Sequence, residues 1–245
     1  MEARKDGFRI VPELQVKSVR QAIDQLAVFG FSPDTSSLWQ GDGNAARLWR
    51  DDQGIALVQM QGEAAHGVID HVAMRAIDTD AAGRLVVARG GVVDGGVTPD
   101  GPLEIAEFWG SGVRYQFFQG PGGARVELCA ERGRVLPGDV GLDQALAGHS
   151  HIGICCRDIA ASARFYAGLG LERVFATTLE RPGGAVAVCF LRRGGQMVEL
   201  YSPPERRGGA LVLPGAGLWR GLLFEGAGRA GVFAGPDGER VTLSL

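Results

Sequence analysis

Apolar positions along the chain recur with two different spacings, and these predict short strands interspersed with helices. In residues 69–76, Val72, Met74 and Ala76 alternate with more polar positions, as in a strand that buries one face. In residues 159–169 the apolar side chains instead recur at the spacing of one helix face. Pairs of glycines separate many of these runs and indicate tight turns. The pattern therefore predicts a mixed α+β chain.

The predicted elements follow one order four times, which indicates a repeated β-α-β-β-β module. Modules two and three are clearest. In module two the first strand, helix and last strand are predicted at 69–76, 79–89 and 125–130. In module three they are predicted at 151–156, 159–169 and 196–202. Module one is predicted to have strands at 9–16 and 55–60, and module four to have strands at 218–225 and 240–245. The segment 226–231 is too short for a helix, so module four is expected to lack one. Ser18, Asp78 and Asp158 stand where N-caps belong.

The linkers between the modules differ in length and character. The longest polar linker separates modules two and three. This predicts one unit at residues 1–132 with modules one and two, a linker at 133–147, and a second unit at 148–245 with modules three and four.

Composition excludes several classes of function. Hydrophobic residues make up 45% of the 245 positions, and the net charge of -3 leaves no basic surface for nucleic acid or anionic membrane. No apolar run reaches the length of a membrane span, and the polar N-terminus predicts no secretory leader. The four cysteines lack C-x-x-C spacing and are expected to be reduced thiols of a cytoplasmic protein. The remaining expectation is a small-molecule partner.

Two modules carry a histidine and a glutamate at equivalent places. His71 and His151 begin first strands, whereas Glu127 and Glu199 lie between apolar residues of last strands. A carboxylate in such a strand is costly to bury unless it is paired or bound to a cation. Two imidazoles and two carboxylates suit one divalent ion of Zn, Ni, Co, Mn or Fe, although a single strand histidine is more often only hydrogen-bonded. His66 and His149 have no such counterpart and are interpreted as linker residues.

These residues carry a family resemblance. The sequences HVAMRAID at 71–78 and RVEL at 125–128, with a helix between them, resemble the vicinal oxygen chelate superfamily, which includes glyoxalase I, extradiol dioxygenases and metal-free bleomycin-resistance proteins. The resemblance implies four β-α-β-β-β modules, the fourth without its helix, pairing into two cupped half-barrels. It also implies a metal in one cup, held by first-strand and last-strand residues of each module. Carried over by position, the ligands are His71, Glu127, His151 and Glu199.

The pairing of modules is left open by the resemblance. If one pairs with two and three with four, Gln59, His71 and Glu127 could form a weak three-ligand site. If two pairs with three, all four ligands meet, and modules one and four build a cup without metal. We favour the second scheme because it gives the four polar residues a common function as ligands of one metal ion. Monomer and homodimer both remain possible.

The resemblance implies a glyoxalase I-like lyase or isomerase that chelates a small substrate through vicinal oxygens and stabilises its enediolate. Either Glu127 or Glu199 would then serve as the catalytic base. Arg75 matches a position where glyoxalase I binds a carboxylate of glutathione. Substrate contacts are also expected from Tyr115, Arg125 and Tyr201.

Two other functions are compatible with the residues. An extradiol ring-cleaving dioxygenase needs two histidines and one carboxylate on iron. A metal-free protein that binds or sequesters a drug would instead need an apolar cup, for which the candidates are Trp39, Trp49, Phe108 and Trp109.

Overall fold

The computed structural model describes residues 7–34, 43–62, 67–136, 140–207 and 218–245. Within these ranges the four modules follow one another in the predicted order. Module one comprises β1 (Arg9–Val16), α1 (Val19–Ala27), β2 (Ser32–Pro33), β3 (Ala45–Arg50) and β4 (Gln53–Gln59). Module two comprises β5 (Ile69–Ala76), α2 (Thr79–Ala88), β6 (Val92–Val93), β7 (Leu103–Ile105), β8 (Val113–Gln119), a single 3-10 turn (Pro121–Gly123) and β9 (Arg125–Glu131).

The second half of the chain repeats this order and then truncates it. Module three comprises α3 (Leu142–Ala145), β10 (Leu146–Cys155), α4 (Ile159–Gly168), β11 (Glu172–Leu179), β12 (Val186–Arg193), β13 (Gln196–Ser202) and α5 (Pro204–Arg207). Module four comprises β14 (Trp219–Glu225), β15 (Gly231–Ala234) and β16 (Arg240–Leu243). No helix lies in the described segment between β14 and β15, as predicted. Trp39 and His66 lie outside the described residues.

The three long helices begin where their capping residues were predicted. The side chains of Ser18, Asp78 and Asp158 each accept a hydrogen bond from a backbone N–H in the first turn of the helix that follows. After α4, Gly170 takes a left-handed conformation with φ of 90°, which turns the chain towards β11. Local sequence therefore determines where each first strand gives way to its helix.

The strands of the described residues form two open sheets. Each sheet combines one module from the first half of the chain with one from the second half. The seven-stranded sheet has the order β15-β16-β14-β1-β4-β3-β2, and the nine-stranded sheet has the order β11-β12-β13-β10-β5-β9-β8-β6, with β7 paired to β8. The first strands of modules two and three are antiparallel neighbours in the larger sheet, and those of modules one and four are neighbours in the smaller one. The sheets therefore follow the favoured pairing of two with three. The predicted division of the chain at 133–147 remains a prediction.

A continuous apolar core joins the two sheets and their helices. It contains buried residues of the central strands of both sheets, including Ile10, Leu57, Val72, Ile152 and Phe224. Val72, Met74 and Ala76 all face this core, as the alternation of β5 predicted. The opposite face of β5 is thereby left to line the concave side of the larger sheet. None of the helices in the described ranges is long and apolar enough to cross a membrane.

Two local expectations need correction. His149 was interpreted as a linker residue, but it lies buried within β10, which begins at Leu146 instead of residue 151. The reason is tertiary, because the extra residues of β10 pair with the end of β5, with Leu146 opposite Ala76 and His149 opposite Met74. The His149 ring contacts the Gln53 side chain and accepts a hydrogen bond from the backbone N–H of Met197, so it joins modules one and three.

Candidate metal centre

The four predicted ligands come from four neighbouring strands of the larger sheet. β5 and β10 run antiparallel at its centre and bring His71 and His151 side by side. β9 runs parallel to β5 and places Glu127 beside Ala73, whereas β13 runs parallel to β10 and places Glu199 beside Gly153. The two halves are therefore equivalent, with each module supplying one histidine and one glutamate to the same hollow.

The ligand atoms converge closely. The two Nε2 atoms of His71 and His151 lie 3.2 Å apart. Glu127 Oε2 lies 3.1 Å from His71 Nε2 and 3.5 Å from His151 Nε2. Glu199 Oε2 lies 3.1 Å from His151 Nε2 and 3.6 Å from His71 Nε2. Of these residues, His71, Glu127 and His151 form a group whose ligand atoms all lie within 4.8 Å of one another.

The Nδ1 atoms of both rings have partners of their own. His71 Nδ1 lies 3.0 Å from Asp70 Oδ2, and His151 Nδ1 lies 3.1 Å from Ser150 Oγ. With Nδ1 engaged, each imidazole directs Nε2 towards the same space. Phe117 and Phe190 pack edge-on against the His71 and His151 rings, respectively, and fix their planes from the sides.

Burial and mutual attraction set the charges of the group. Burial by itself lowers the pKa of His71 and His151, but the adjacent carboxylates outweigh it, raising the pKa of His151 to about 8 and that of His71 well above its usual value. Burial by itself raises the pKa of Glu127 and Glu199, but the two imidazoles outweigh it and lower both. The carboxylates are therefore ionised at neutral pH, as metal ligands must be.

The residues fit a divalent ion. An ion about 2.1 Å from each ligand atom leaves neighbouring ligand atoms about 3.0 to 3.4 Å apart in octahedral or tetrahedral coordination. The separations between each imidazole and its nearest carboxylate, 3.1 Å in both modules, lie within that range. Nitrogen and carboxylate oxygen donors in this ratio suit Zn or a neighbouring first-row metal. The chemistry and spacing of the donor set are thus compatible with a divalent metal ion.

A largely apolar cavity of about 240 Å³ opens above this group. Its walls come from modules two and three and include Phe108, Trp109, Val113, Leu179 and Phe190. Neither lysine nor arginine occurs among the described residues that line it, and its charged residues are Asp70 and the four candidate ligands. The cavity therefore favours an apolar ligand whose polar atoms face the histidines and glutamates.

The residues predicted to contact substrate are placed differently from one another. Tyr115 and Tyr201 line the cavity. Arg125 is not among its lining residues, and its guanidinium donates to Asp70 at 2.8 Å and to Asp94 at 3.1 Å. Arg75 borders an adjoining cavity, where its Nε donates to the carbonyl of Ala147 at 3.0 Å. A contact between substrate and each of these four residues remains a prediction.

The neighbours that orient the histidines, Asp70 and Ser150, were not predicted from the sequence. Asp70 and Ser150 directly precede His71 and His151, yet regular alternation would turn their side chains to the opposite face of the strand. The one available signal is that both residues are polar at equivalent positions of the repeat. Gly153 was also missed, and a Cβ there would lie 2.0 Å from Cε1 of His71.

The other candidates for a binding cup lie apart from this centre. Gln59, offered by the alternative pairing scheme, is exposed at the end of β4 in the smaller sheet. Trp49 lies in β3 of that sheet, where its indole N–H donates to Asp34 at 3.2 Å. Phe108 and Trp109 instead line the cavity of modules two and three. The smaller sheet has a cavity of about 180 Å³ that contains Glu13 and Arg240.

Comparison with known proteins places the fold. Residues 148–219 match the family model of the Glyoxalase/Bleomycin resistance protein/Dioxygenase superfamily. The resemblance to the vicinal oxygen chelate superfamily is confirmed. The match covers module three. Comparison with curated proteins gave no match.

Solved structures share the fold across nearly the whole chain. A mutant of glyoxalase I from Zea mays is 14% identical, with a TM-score of 0.70 over 98% of this chain and 93% of that one. Glyoxalase I from the same plant is 15% identical, with a TM-score of 0.68 over 96% and 92% of the two chains. A Bacillus subtilis protein provisionally described as a dioxygenase is 14% identical, with a TM-score of 0.61 over 99% and 86%. At these identities the likeness concerns the fold, and the predicted α+β class with open cupped sheets is confirmed.

Proposed function

We propose that the protein is a metal-dependent lyase or isomerase of the glyoxalase type, acting on a small substrate with two adjacent oxygens. The observation that carries this proposal is the convergence of His71, Glu127, His151 and Glu199 from two modules at one end of a largely apolar cavity. Burying two imidazoles and two carboxylates at equivalent places of two modules is costly, and a bound cation would offset that cost beyond what their mutual pairing does. The family resemblance supports metal chemistry of this kind, and the fold supports a cup for the substrate.

The four side chains would hold one divalent ion of the Zn, Ni, Co, Mn or Fe group. When bound, that ion supplies Lewis acidity towards the substrate oxygens. The protein's own contribution is a proton acceptor, and Glu199 is the better placed of the two carboxylates. It is the more exposed of the two, at 8% against 5% for Glu127. Its carboxylate oxygen takes a proton from one carbon of the substrate and returns it to the neighbouring carbon.

The cavity walls indicate what the rest of the substrate looks like. Phe108, Trp109 and Phe190 surround its apolar part and exclude water from the reacting atoms. The adjoining cavity shares Trp109, Val113 and Ser150 with the first and includes Arg75. A substrate with an apolar body and an anionic end would therefore place the body in the cup and the anion near Arg75.

Metal analysis of purified protein tests the proposal directly. The wild-type protein is expected to carry about one divalent ion, whereas His71→Ala and Glu199→Ala are expected to carry much less while retaining their circular dichroism spectra. Gln59→Ala is the matched control, because Gln59 lies exposed on the other sheet. Unchanged metal content in both ligand variants would refute the centre, and a wild-type protein without metal would favour a metal-free binding function.

A ring-cleaving dioxygenase is the second candidate, and one observation favours it. His71, Glu127 and His151 form a group whose ligand atoms lie within 4.8 Å of one another, which is a set of two histidines and one carboxylate. Assays of the iron-loaded protein with catechols separate the two proposals, because ring cleavage consumes oxygen and gives coloured products. Isomerisation of a thiohemiacetal consumes none. Oxygen uptake with a catechol would replace the isomerase proposal by the dioxygenase.

A further inference from the structure

Each candidate metal-binding histidine follows an irregularity in the pairing of β5 with β10. On β5, Ile69 and His71 stand opposite the consecutive residues Ile154 and Gly153, so Asp70 is an extra residue without an opposite partner. A β-bulge of this kind inserts one residue into a strand and turns its side chain out of the regular alternation. Asp70 thereby shares a face with His71 and borders the metal cavity.

The partner strand has the same device at the equivalent place. On β10, His149 and His151 stand opposite the consecutive residues Met74 and Ala73, so Ser150 is the extra residue. Ser150 also borders the cavity. The two bulges are related by an approximate two-fold axis through the opposed pair Val72 and Ile152. An irregularity that recurs symmetrically, next to both candidate ligands, is a built feature of the site.

Both inserted side chains engage the histidine that follows them. Asp70 Oδ2 lies 3.0 Å from His71 Nδ1, and Ser150 Oγ lies 3.1 Å from His151 Nδ1. Each contact occupies the ring nitrogen that faces away from the centre and fixes the rotation of the ring. Partners of this kind orient metal-binding histidines and increase their basicity.

The two partners are unequal in charge and support. Arg125 donates to Asp70 at 2.8 Å and to Asp94 at 3.1 Å, so Asp70 belongs to a buried ionic array behind His71. Ser150 is a neutral hydroxyl that borders the cavity. A carboxylate held by a guanidinium restrains Nδ1–H more firmly than a hydroxyl does.

We propose that Asp70 and Ser150 are positioning residues that set the two imidazoles through paired β-bulges, and that Asp70 with Arg125 makes His71 the more firmly held ligand. This inference rests on the proposed metal centre. It concerns residues that do not themselves touch the ion. It also gives Arg125 a supporting role behind Asp70, in place of the predicted contact with substrate.

Zn(II) titration against a competing chelator tests the inference on full-length protein. Asp70→Asn is expected to weaken Zn(II) binding by about 10- to 100-fold, and Ser150→Ala by a smaller factor. Asp70→Ser, which copies the partner module, is expected to recover part of the loss. The matched control is Asp80→Asn, which also breaks a carboxylate–arginine pair, with Arg114 at 2.6 Å, but lies outside the cavity lining. Its Zn(II) affinity is expected to equal that of the wild type.

The absorption spectrum of the Co(II)-loaded protein provides a second readout. Ligand-field bands report the geometry around the ion, so a rotated imidazole is expected to shift them in Asp70→Asn and Ser150→Ala but not in Asp80→Asn. One outcome would overturn the inference and leave the metal centre standing. In that outcome the wild-type protein binds Zn(II), His71→Ala does not, and Asp70→Asn and Ser150→Ala both keep wild-type affinity and spectrum. If His71→Ala also binds normally, the centre itself fails. Should Asp70→Asn not fold, the Ser150→Ala titration and spectrum still decide the matter.

Discussion

Gly153 leaves the space that the His71 ring occupies, so a single methyl group there should displace this proposed metal ligand. Gly153 stands directly opposite His71 in the β5–β10 pair, and an added Cβ would lie 2.0 Å from Cε1 and 2.4 Å from Nε2 of the ring. Carbon atoms in contact normally stand about 3.5 to 4.0 Å apart, so the ring must move by more than about 1 Å. Metal sites tolerate errors of only about 0.2 Å in ligand distance. The expected result for Gly153→Ala is therefore a loss of Zn(II) affinity of at least about 10-fold to 100-fold.

The cost in folding stability should be modest by comparison. Overpacking by one methyl group typically costs about 1 to 3 kcal/mol, and the φ angle of Gly153 is not among the positive values that disfavour alanine. The assay combines chelator-competed Zn(II) titration with urea unfolding of the metal-free protein. In a His71→Ala background the ring is absent, so Gly153→Ala should no longer destabilise the fold. This comparison isolates the contact between the methyl group and the imidazole.

Gly168→Ala is the matched control. Gly168 lies in the last turn of α4, with no atom beyond its chain neighbours and its own helix backbone within 4 Å of an added Cβ, and with no positive φ angle. The substitution is expected to leave metal binding unchanged and to stabilise the fold by about 0.4 to 1 kcal/mol. Zn(II) affinity of Gly153→Ala within about twofold of wild type would refute the reasoning, since the ring would then have another way to reach the ion.

Three further predictions follow from other contacts. Glu199→Gln removes the proposed proton acceptor while keeping the shape of the side chain. Turnover by the metal-loaded protein is therefore expected to fall by about 10²-fold or more. Turnover per bound metal ion equal to that of the wild type would exclude Glu199 as the base. Burial lowers the pKa of His149 to about 4, so as the pH falls from about 6.5 the unfolded chain binds a proton before the folded protein does. The free energy of unfolding of the metal-free protein should therefore fall by up to about 3 kcal/mol by pH 4. Urea unfolding of His149→Gln should show a weaker dependence on pH, and an equal dependence in both proteins would contradict this account. Asp158→Ala removes the N-cap of α4 and should lower the free energy of unfolding, measured with urea, by about 1 kcal/mol. Metal content should be unchanged, and a loss of metal would indicate that α4 positions the site.

Local signals in the sequence predicted the elements well. The helices α2 and α4 begin after Asp78 and Asp158 because a short acidic side chain satisfies backbone N–H groups that no preceding turn can satisfy. β5 lies at the predicted residues 69–76 because its alternation matches a strand that directs one face, with Val72, Met74 and Ala76, into the apolar core. Such signals act between residues a few positions apart, which is why they can be read without a partner strand.

The candidate ligands were predictable for a different reason, namely repetition. Taken alone, His71 or Glu127 has several ordinary explanations. The second module has the same residue types, His151 and Glu199, at equivalent places, and this repetition leaves fewer of those explanations. The equivalence of the modules in the sheet then brings the four side chains together. The distances among the ligand atoms belong to the tertiary structure alone.

What the chain encodes locally is the module, its caps and the four polar residues, because propensity and alternation depend on near neighbours. The pairing of module two with three, the extra residues Asp70 and Ser150, and the space beside Gly153 were decided only in the folded sheet. Register is a relation between strands that are far apart in sequence, and a shift of one residue turns a side chain from one face to the other. The alternation of β5 by itself turns Asp70 away from the cavity, and its pairing with β10 turns that side chain back towards His71.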